Sequence, residues 1–403
     1  MHDATPAPAR YAGIDTHKDT NMLALLDEAG RLVATKEFPT GKAGYEQLSN
    51  FIADRSVKIG VEGACSYGKG IARHLSNLGY EVFEMSRPKR QQRRRGKSDE
   101  GDAIAAAKNL RAEEGIPIKS MTKDVEDLHF LLVARKAAVK NSTAYSNRMD
   151  GMLVCADDAI RERFSKSNGI MRARAICSCR LEGGMIEALK SCARALIFFQ
   201  EQADELEARM LPLVLRACPA LIGAKGVGTV VAATLIVTAG SNPSRMKSEA
   251  AFSMWCGTSP IPASSGKTDR HRLNRGGDRS ANQAIHEIAR VRMAKDDKTR
   301  SYIERKISEG KSKKEAIRCL CRYIAREAYN LLTAPQVPLP AAEDLAKARK
   351  KAGFTQAGLA EKLGIGCARI ACMESGRTVD GSLMRACAEL LDSLDSQYHQ
   401  KNN

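Results

Sequence analysis

Along residues 11–110 strand and helix signals alternate, and beyond them the apolar positions settle into a helical period. Tyr11–Asp15, Met22–Leu26 and Leu32–Phe38 read as strands, with turn residues at Asp27–Gly30 before the third. Gly41–Ala53 reads as a helix, Val57–Val61 as a β-branched strand ending at Glu62, Gly68–Leu78 as a helix and Tyr80–Met85 as a further strand. Three strands in succession, then strand and helix in alternation, predict an α/β layer. A helix follows from Asp99 to about Leu110. Residues 121–215 keep helical periodicity with few breakers, for example at Val125, Leu128, Leu132 and across Ala193–Met210. They predict an elongated helical hairpin or coiled-coil-like spacer. Residues 217–333 form a unit with Gly-rich turns and a basic helical end. Pro335, Pro338 and Pro340 mark a linker, and residues 343–395 a small all-helical tail.

Composition narrows the partner. The 403 residues carry 64 Lys plus Arg against 47 Asp plus Glu, a formal charge of +17. A field of that sign attracts polyanions, and nucleic acid is the usual one. The run from Arg87 to Lys97 is the densest basic segment, with Arg87, Lys89, Arg90, Arg93, Arg94, Arg95 and Lys97 in eleven positions. The 12 cysteines include no C-x-x-C pair, so zinc-finger spacing is absent and most read as buried thiols in a reducing compartment. The N-terminal MHDATPAPAR lacks an apolar signal region, and no stretch reaches the roughly 18 apolar residues of a membrane span. A cytoplasmic protein without membrane contact is expected.

Four carboxylates carry the candidate chemistry. Asp15 ends the first strand in Gly13-Ile14-Asp15-Thr16-His17-Lys18, and Glu62 ends a later one in Gly60-Val61-Glu62-Gly63. Asp99 and Asp102 lie one turn apart on one helix face. Were the first and fourth strands neighbours, Asp15 and Glu62 would adjoin, and the helix pair would complete the cluster. Such a cluster repels itself unless divalent cations bind, and hard oxygen ligands suit Mg2+ or Mn2+. Two such ions can stabilise the attacking and leaving oxygens of a phosphodiester. Taken singly, a strand-terminal Asp is also a turn residue, and Asp99 is in position to cap its own helix.

With GIDTHK, the strand running into GVEG, and KSDEGDA in view, residues 11–110 resemble the RuvC-like N-terminal domain of the insertion-sequence-110 transposases. The resemblance implies an RNase H-like α/β fold whose Mg2+-binding acids are Asp15, Glu62, Asp99 and Asp102, with Glu100 pointing off their face. It extends to Gly257-Thr-Ser-Pro260, Ser264-Ser265-Gly266 and Arg275-Gly276-Gly277-Asp278-Arg279, which are similar to the family's C-terminal domain. By that resemblance Ser265, or Ser264 as fallback, is the nucleophile on the DNA backbone. A hydroxyl needs activation, and the resemblance implies that metals held by the acids supply it. Residues 265–330 hold 18 Lys plus Arg and 9 Asp plus Glu, and Arg270, Arg272, Arg275 and Arg279 are candidate phosphate contacts. Gly223–Gly228 is similar to a helix-hairpin-helix turn, although a plain connector reads equally well.

The tail, Leu345–Arg377, is similar to a Cro/repressor-type helix-turn-helix, with Thr355 capping the second helix and Gly366–Met373 as the recognition helix. Gln356 and Arg369 are its candidate polar contacts. The domains expected are therefore 10–115 (RuvC-like), 116–215 (spacer), 216–333 (serine-bearing, mainly α), 334–342 (linker) and 343–395 (helix-turn-helix). The family resemblance implies DNA and an element-encoded guide RNA as partners, and a homo-oligomer, dimer or tetramer, because joining DNA ends needs at least two active sites. The alternatives are a hydrolytic RuvC-like nuclease, and a DNA-binding regulator with an inactive catalytic fold.

Overall fold

The computed structural model describes residues 8–64, 66–85, 98–262, 271, 272, 274, 276–376 and 379–401. They divide into two units. The first comprises the N-terminal residues to Ser120 together with Ser244–Met246, and the second Met121–Pro243 and Lys247 onward.

The first unit is a mixed sheet with helices. Its elements are β1 (Tyr11–Thr16), β2 (Thr20–Leu26), β3 (Leu32–Pro39), α1 (Lys42–Ile52), β4 (Lys58–Glu62), α2 (Lys69–Asn77), β5 (Val82–Met85), α3 (Asp99–Arg111) and β6 (Ile116–Pro117). The sheet order is β3-β2-β1-β4-β5-β6. β1, β2 and β3 pair antiparallel, β1 pairs β4 and β4 pairs β5 in parallel, and β6 closes antiparallel on β5. Strand periodicity of two sorts the residues between two layers. Ala12 and Ile14 of β1 and Ile59 and Val61 of β4 join Leu48, Ile71 and Leu75 in the larger core. Tyr11 and Phe83 pack with Met85, Ala106 and Leu110 in a smaller one under α3. Gly13, Asp15, Gly60 and Glu62 therefore share the α3 side of the sheet.

β6 has no counterpart in the sequence pattern, being two residues with a proline, which only an edge position tolerates. Arg245 ties Ser244–Met246 to this unit: its Nη1 donates to the Pro117 carbonyl at 3.0 Å and lies 3.7 Å from Glu84 Oε2.

The second unit is mostly helical. Two long helices, α4 (Lys123–Val154) and α7 (Gly184–Ala217), run antiparallel, as the pairs Asp124–Arg216, Arg135–Glu207 and Tyr145–Phe199 require. Between them lie α5 (Asp158–Ser165) and α6 (Gly169–Ser178), where the sequence pattern promised nearly unbroken helix. The break follows from local chemistry, since Gly169 (φ 52°) and Gly183 (φ 121°) turn the chain where helical backbone cannot continue. Met149, Leu153, Phe164, Ile176, Ile186 and Leu189 form the core at that end.

The chain continues through α8 (Pro219–Ile222), α9 (Thr229–Ala239), α10 (Glu249–Trp255), a short hairpin of β7 (Ile261–Pro262) and β8 (His271–Arg272), then α11 (Arg279–Lys295), α12 (Asp297–Ser308) and α13 (Lys313–Thr333). The tail comprises α14 (Ala342–Lys351), α15 (Gln356–Lys362), α16 (Cys367–Glu374) and α17 (Gly381–Lys401) around Leu345, Leu359, Ile370, Met373 and Cys387. Among the described residues, no helix is long and apolar enough to cross a membrane.

Candidate active site

The acidic residues meet because α3 lies unusually close to the sheet. A Cβ built on Gly13 would stand 2.0 Å from the Ala103 carbonyl oxygen and 2.4 Å from the Ala107 nitrogen. On Gly60 it would stand 2.8 Å from Met85 Cγ and 3.4 Å from the Ala106 carbonyl oxygen. With glycines below and the buried Ala103, Ala106 and Ala107 above, helix backbone rests almost on strand backbone. That brings the first turn of α3 over the end of β1. Ser98, not Asp99, caps the helix: its side chain accepts from the Gly101 N–H at 3.1 Å. Asp99 is thus left out of the cap, and the acids of the first turn sit where the helix dipole favours negative charge. Glu100 turns elsewhere, accepting from Thr35 Oγ1 at 2.8 Å.

Asp15 is 5% exposed at the end of β1. Burial pushes its carboxyl above the ordinary value; the neighbouring His17 pulls it back, and the charges of Asp102 and Asp99 push it further up. His17 Nε2 lies 3.2 Å from Asp15 Oδ2 and 3.3 Å from Asp99 Oδ1. These contacts are close but not aligned as hydrogen bonds, and both His17 Nε2 and Asp15 Oδ2 are buried without a hydrogen-bond partner among the described residues. Donor atoms of Asp15, His17 and Asp99 all fall within 4.8 Å of one another, a grouping that could hold a metal ion. Asp102 is buried in the same turn of α3. Glu62, also buried, follows Val61, which pairs with Ile14, so it adjoins Asp15 on the same face. Thr16 Oγ1 fastens the two strand ends by donating to the Glu62 carbonyl at 2.8 Å.

A buried, unpartnered carboxylate oxygen beside further carboxylates suits a hard divalent cation, which would remove both the repulsion and the desolvation penalty. His17 is the residue that sequence reasoning missed. Its spacing of two from Asp15 was the available signal, because alternate strand residues face the same side.

Ser264 and Ser265 lie outside the described residues, as do Arg270 and Arg275 and the basic run containing Arg87, Lys89, Arg90, Arg93, Arg94, Arg95 and Lys97. The frame around the serine segment is described. Pro262 pairs with His271, so residues 263–270 join the two strands of the hairpin. Gly257 and Gly277 approach each other closely: a Cβ on Gly277 would stand 2.3 Å from the Gly257 nitrogen. The second glycine of Arg275-Gly276-Gly277 is thus a packing requirement. Asp278 donates its N–H to the Trp255 carbonyl at 2.7 Å and caps α11 through Ser280 and Ala281. Asn282 Nδ2 donates to the Cys256 and Gly257 carbonyls. Arg272 and Arg279 are exposed beside this frame.

In the tail, Thr355 caps α15 by accepting from the Gly358 N–H at 3.0 Å. The buried Arg349 makes two bonds to Glu374, at 2.6 and 2.8 Å, locking α14 to α16. Gln356 Nε2 also donates to Glu374, at 2.8 Å, and the exposed Arg369 pairs with Asp380 at 2.6 Å. Both candidate contacts are therefore already engaged within the tail. Cys367, Ala368 and Arg369 form the exposed start of α16.

Comparison with known families agrees with this architecture. Residues 12–156 match the IS110-type DEDD transposase model, residues 218–304 match the model for the transposase IS116/IS110/IS902 family, and residues 345–398 match a helix-turn-helix family. No curated protein matches the chain. A DEDD-type domain points to divalent metal use, and a transposase with a helix-turn-helix domain binds DNA. The two transposase models lie in order along one polypeptide, the first running to the end of α4 and the second beginning just after α7, and the chain belongs to the IS110 family of transposases.

Proposed function

We propose that this transposase cuts and rejoins DNA strands by metal-dependent chemistry with Ser265 as nucleophile. The first unit is read as an RNase H-like, RuvC-like catalytic domain. The observation that carries the proposal is the meeting of Asp15, His17 and Asp99 at one end of the sheet, with Asp102 and Glu62 buried beside them. In open α/β sheets ligands bind beyond the carboxyl ends of the strands, and Asp15 and Glu62 stand there on adjacent strands.

Asp15, Glu62, Asp99 and Asp102 would hold Mg2+ or Mn2+. Such an ion polarises the phosphodiester and stabilises charge on its oxygens. Ser265 Oγ attacks phosphorus: its bond to phosphorus forms as the bond to the departing sugar oxygen breaks. The serine proton is lost, and the sugar oxygen takes one up as a hydroxyl. The phosphoserine keeps the ester bond energy, so the strand can be rejoined to another end without an external energy source. Arg270, Arg272, Arg275 and Arg279 would contact phosphates, and the basic run from Arg87 to Lys97 would contact DNA or an element-encoded guide RNA. Gln356 and Arg369 of the helix-turn-helix would contact DNA on leaving their internal partners. Strand joining calls for at least two active sites, hence a dimer or tetramer working in the cytoplasm.

Trapping a covalent protein–DNA adduct tests this. The adduct disappears in Ser265→Ala, and both adduct and strand transfer disappear in Asp15→Ala combined with Asp102→Ala. Nicking that persists undiminished in Ser265→Ala would instead identify a hydrolytic nuclease. Full activity in the double variant would remove the acids from the mechanism.

A further inference from the structure

A nitrogen donor stands among the oxygen donors of the acidic site. His17 Nε2 is 3.2 Å from Asp15 Oδ2 and 3.3 Å from Asp99 Oδ1. Neighbouring ligands of one ion, with bonds of about 2.1–2.2 Å meeting near right angles, stand roughly 3 Å apart. The spacing is therefore that of ligands arranged about a shared centre.

Burial gives an independent reason. His17 Nε2 and Asp15 Oδ2 are both shut off from solvent without a hydrogen-bond partner among the described residues. Each such atom is costly unless something satisfies it, and one cation would satisfy both. The residue is also held in position. The His17 backbone N–H donates to the Thr20 carbonyl at 2.9 Å, which fixes the turn between β1 and β2 from which the ring reaches the acids.

We infer that His17 is a metal ligand of the acidic site, and that its imidazole gives the site a preference for a transition-metal dication such as Mn2+ over Mg2+. The inference rests on the reading that Asp15 and Asp99 hold a divalent ion. Mg2+ takes oxygen ligands and keeps its waters, whereas first-row transition ions accept imidazole readily. The effect of His17 should therefore fall on Mn2+ far more than on Mg2+.

The test uses the full chain without a histidine tag, titrated with Mn2+ and followed by electron paramagnetic resonance. Mn2+ bound to the wild type is expected to show nitrogen-14 coupling from an imidazole in pulsed spectra. The coupling disappears in His17→Ala, and Mn2+ affinity falls by roughly tenfold or more. Competition with Mg2+ then shows a much smaller loss of Mg2+ affinity. The wild-type coupling does not depend on any variant folding, and His17→Gln, which keeps a polar side chain, is expected to lose it as well. Mn2+ that binds without nitrogen coupling, unchanged in affinity in His17→Ala but abolished by Asp15→Asn, would overturn the role of His17 and leave the metal reading intact. Failure of the wild type to bind Mn2+, or binding unaffected by Asp15→Asn, would overturn both.

Discussion

Replacing Gly13 with alanine adds one methyl group at the point where α3 touches β1. That methyl carbon would lie 2.0 Å from the Ala103 carbonyl oxygen, 2.4 Å from the Ala107 nitrogen and 3.0 Å from Ala107 Cβ. Two of the three atoms are helix backbone, so no rotamer change relieves the overlap. Relief requires α3 to retreat by roughly 1 Å, and overpacking of this kind costs about 1–3 kcal/mol. For a unit of this size, a loss of about 2 kcal/mol lowers the melting temperature by about 8 °C. The functional loss should be larger than the stability loss suggests. Asp99 and Asp102 ride on the same helix, and a misplacement of about 1 Å at a reacting centre costs on the order of a hundredfold in rate. Thermal unfolding, Mn2+ titration and strand transfer on the same sample measure all three. Ala103→Gly should not rescue the variant, because the obstacle is a carbonyl oxygen. Gly151, within α4, supplies the contrast: nothing lies within 4 Å of where its methyl group would stand, and Gly151→Ala should stabilise by about 0.5–1 kcal/mol through helix propensity alone. A Gly13→Ala variant that melts and joins strands like the wild type would refute the close packing of α3 and the site geometry that depends on it.

Other outcomes follow from the same structure. Because burial raises the Asp15 carboxyl above its ordinary value of 3.8, the folded, metal-free chain holds that proton more tightly than the unfolded one. Its stability should fall as pH rises from the unfolded value through the raised one. Denaturant titrations across that window should show the slope, Asp15→Asn should flatten it, and a slope of opposite sign would count against it. In the tail, Arg349 and Glu374 are both buried and paired, so Arg349→Met should destabilise the helix-turn-helix by about 3–5 kcal/mol, seen as lost hydrogen-exchange protection in α14 and α16. The tail is also packed against α8, since a Cβ on Gly381 would stand 2.8 Å from both the nitrogen and Cα of Gly223. Gly381→Leu should therefore release the tail and speed proteolysis of the linker near Pro335–Pro340; unchanged cleavage would argue against that docking.

The acidic residues of the candidate site were readable in the chain because each belongs to a contiguous local pattern. Asp15 and Glu62 were identifiable as strand-terminal carboxylates, and Asp99 and Asp102 as a pair one helical turn apart, since residue identity and period are properties of contiguous segments. Thr355 and the helices of the tail were readable for the same reason. The breaks before α6 and α7 were less so, because Ser167-Asn168-Gly169 and Gly183-Gly184 are short turn signals inside a segment whose apolar positions otherwise keep a helical period. His17 was in plain view within GIDTHK, and its spacing of two from Asp15 was its one local signal, as its other neighbour Asp99 lies on a helix far along the chain.

The sequence by itself determined the element types, the basic character, the family motifs and which residues can act as acids. Only the tertiary structure decided which of them meet. The adjacency of Asp15 and Glu62 follows from β4 pairing beside β1, fastened by a contact between residues 46 positions apart. The approach of Asp99 follows from the absence of a side chain at Gly13, which lets α3 settle onto the sheet. The choice of Ser98 over Asp99 as helix cap leaves that carboxylate beside His17. The cap is a local contact, but the strand adjacency, the seating of α3 and the meeting of Asp99 with His17 are distances between segments remote in the chain, and such distances are set by packing, which no local pattern records.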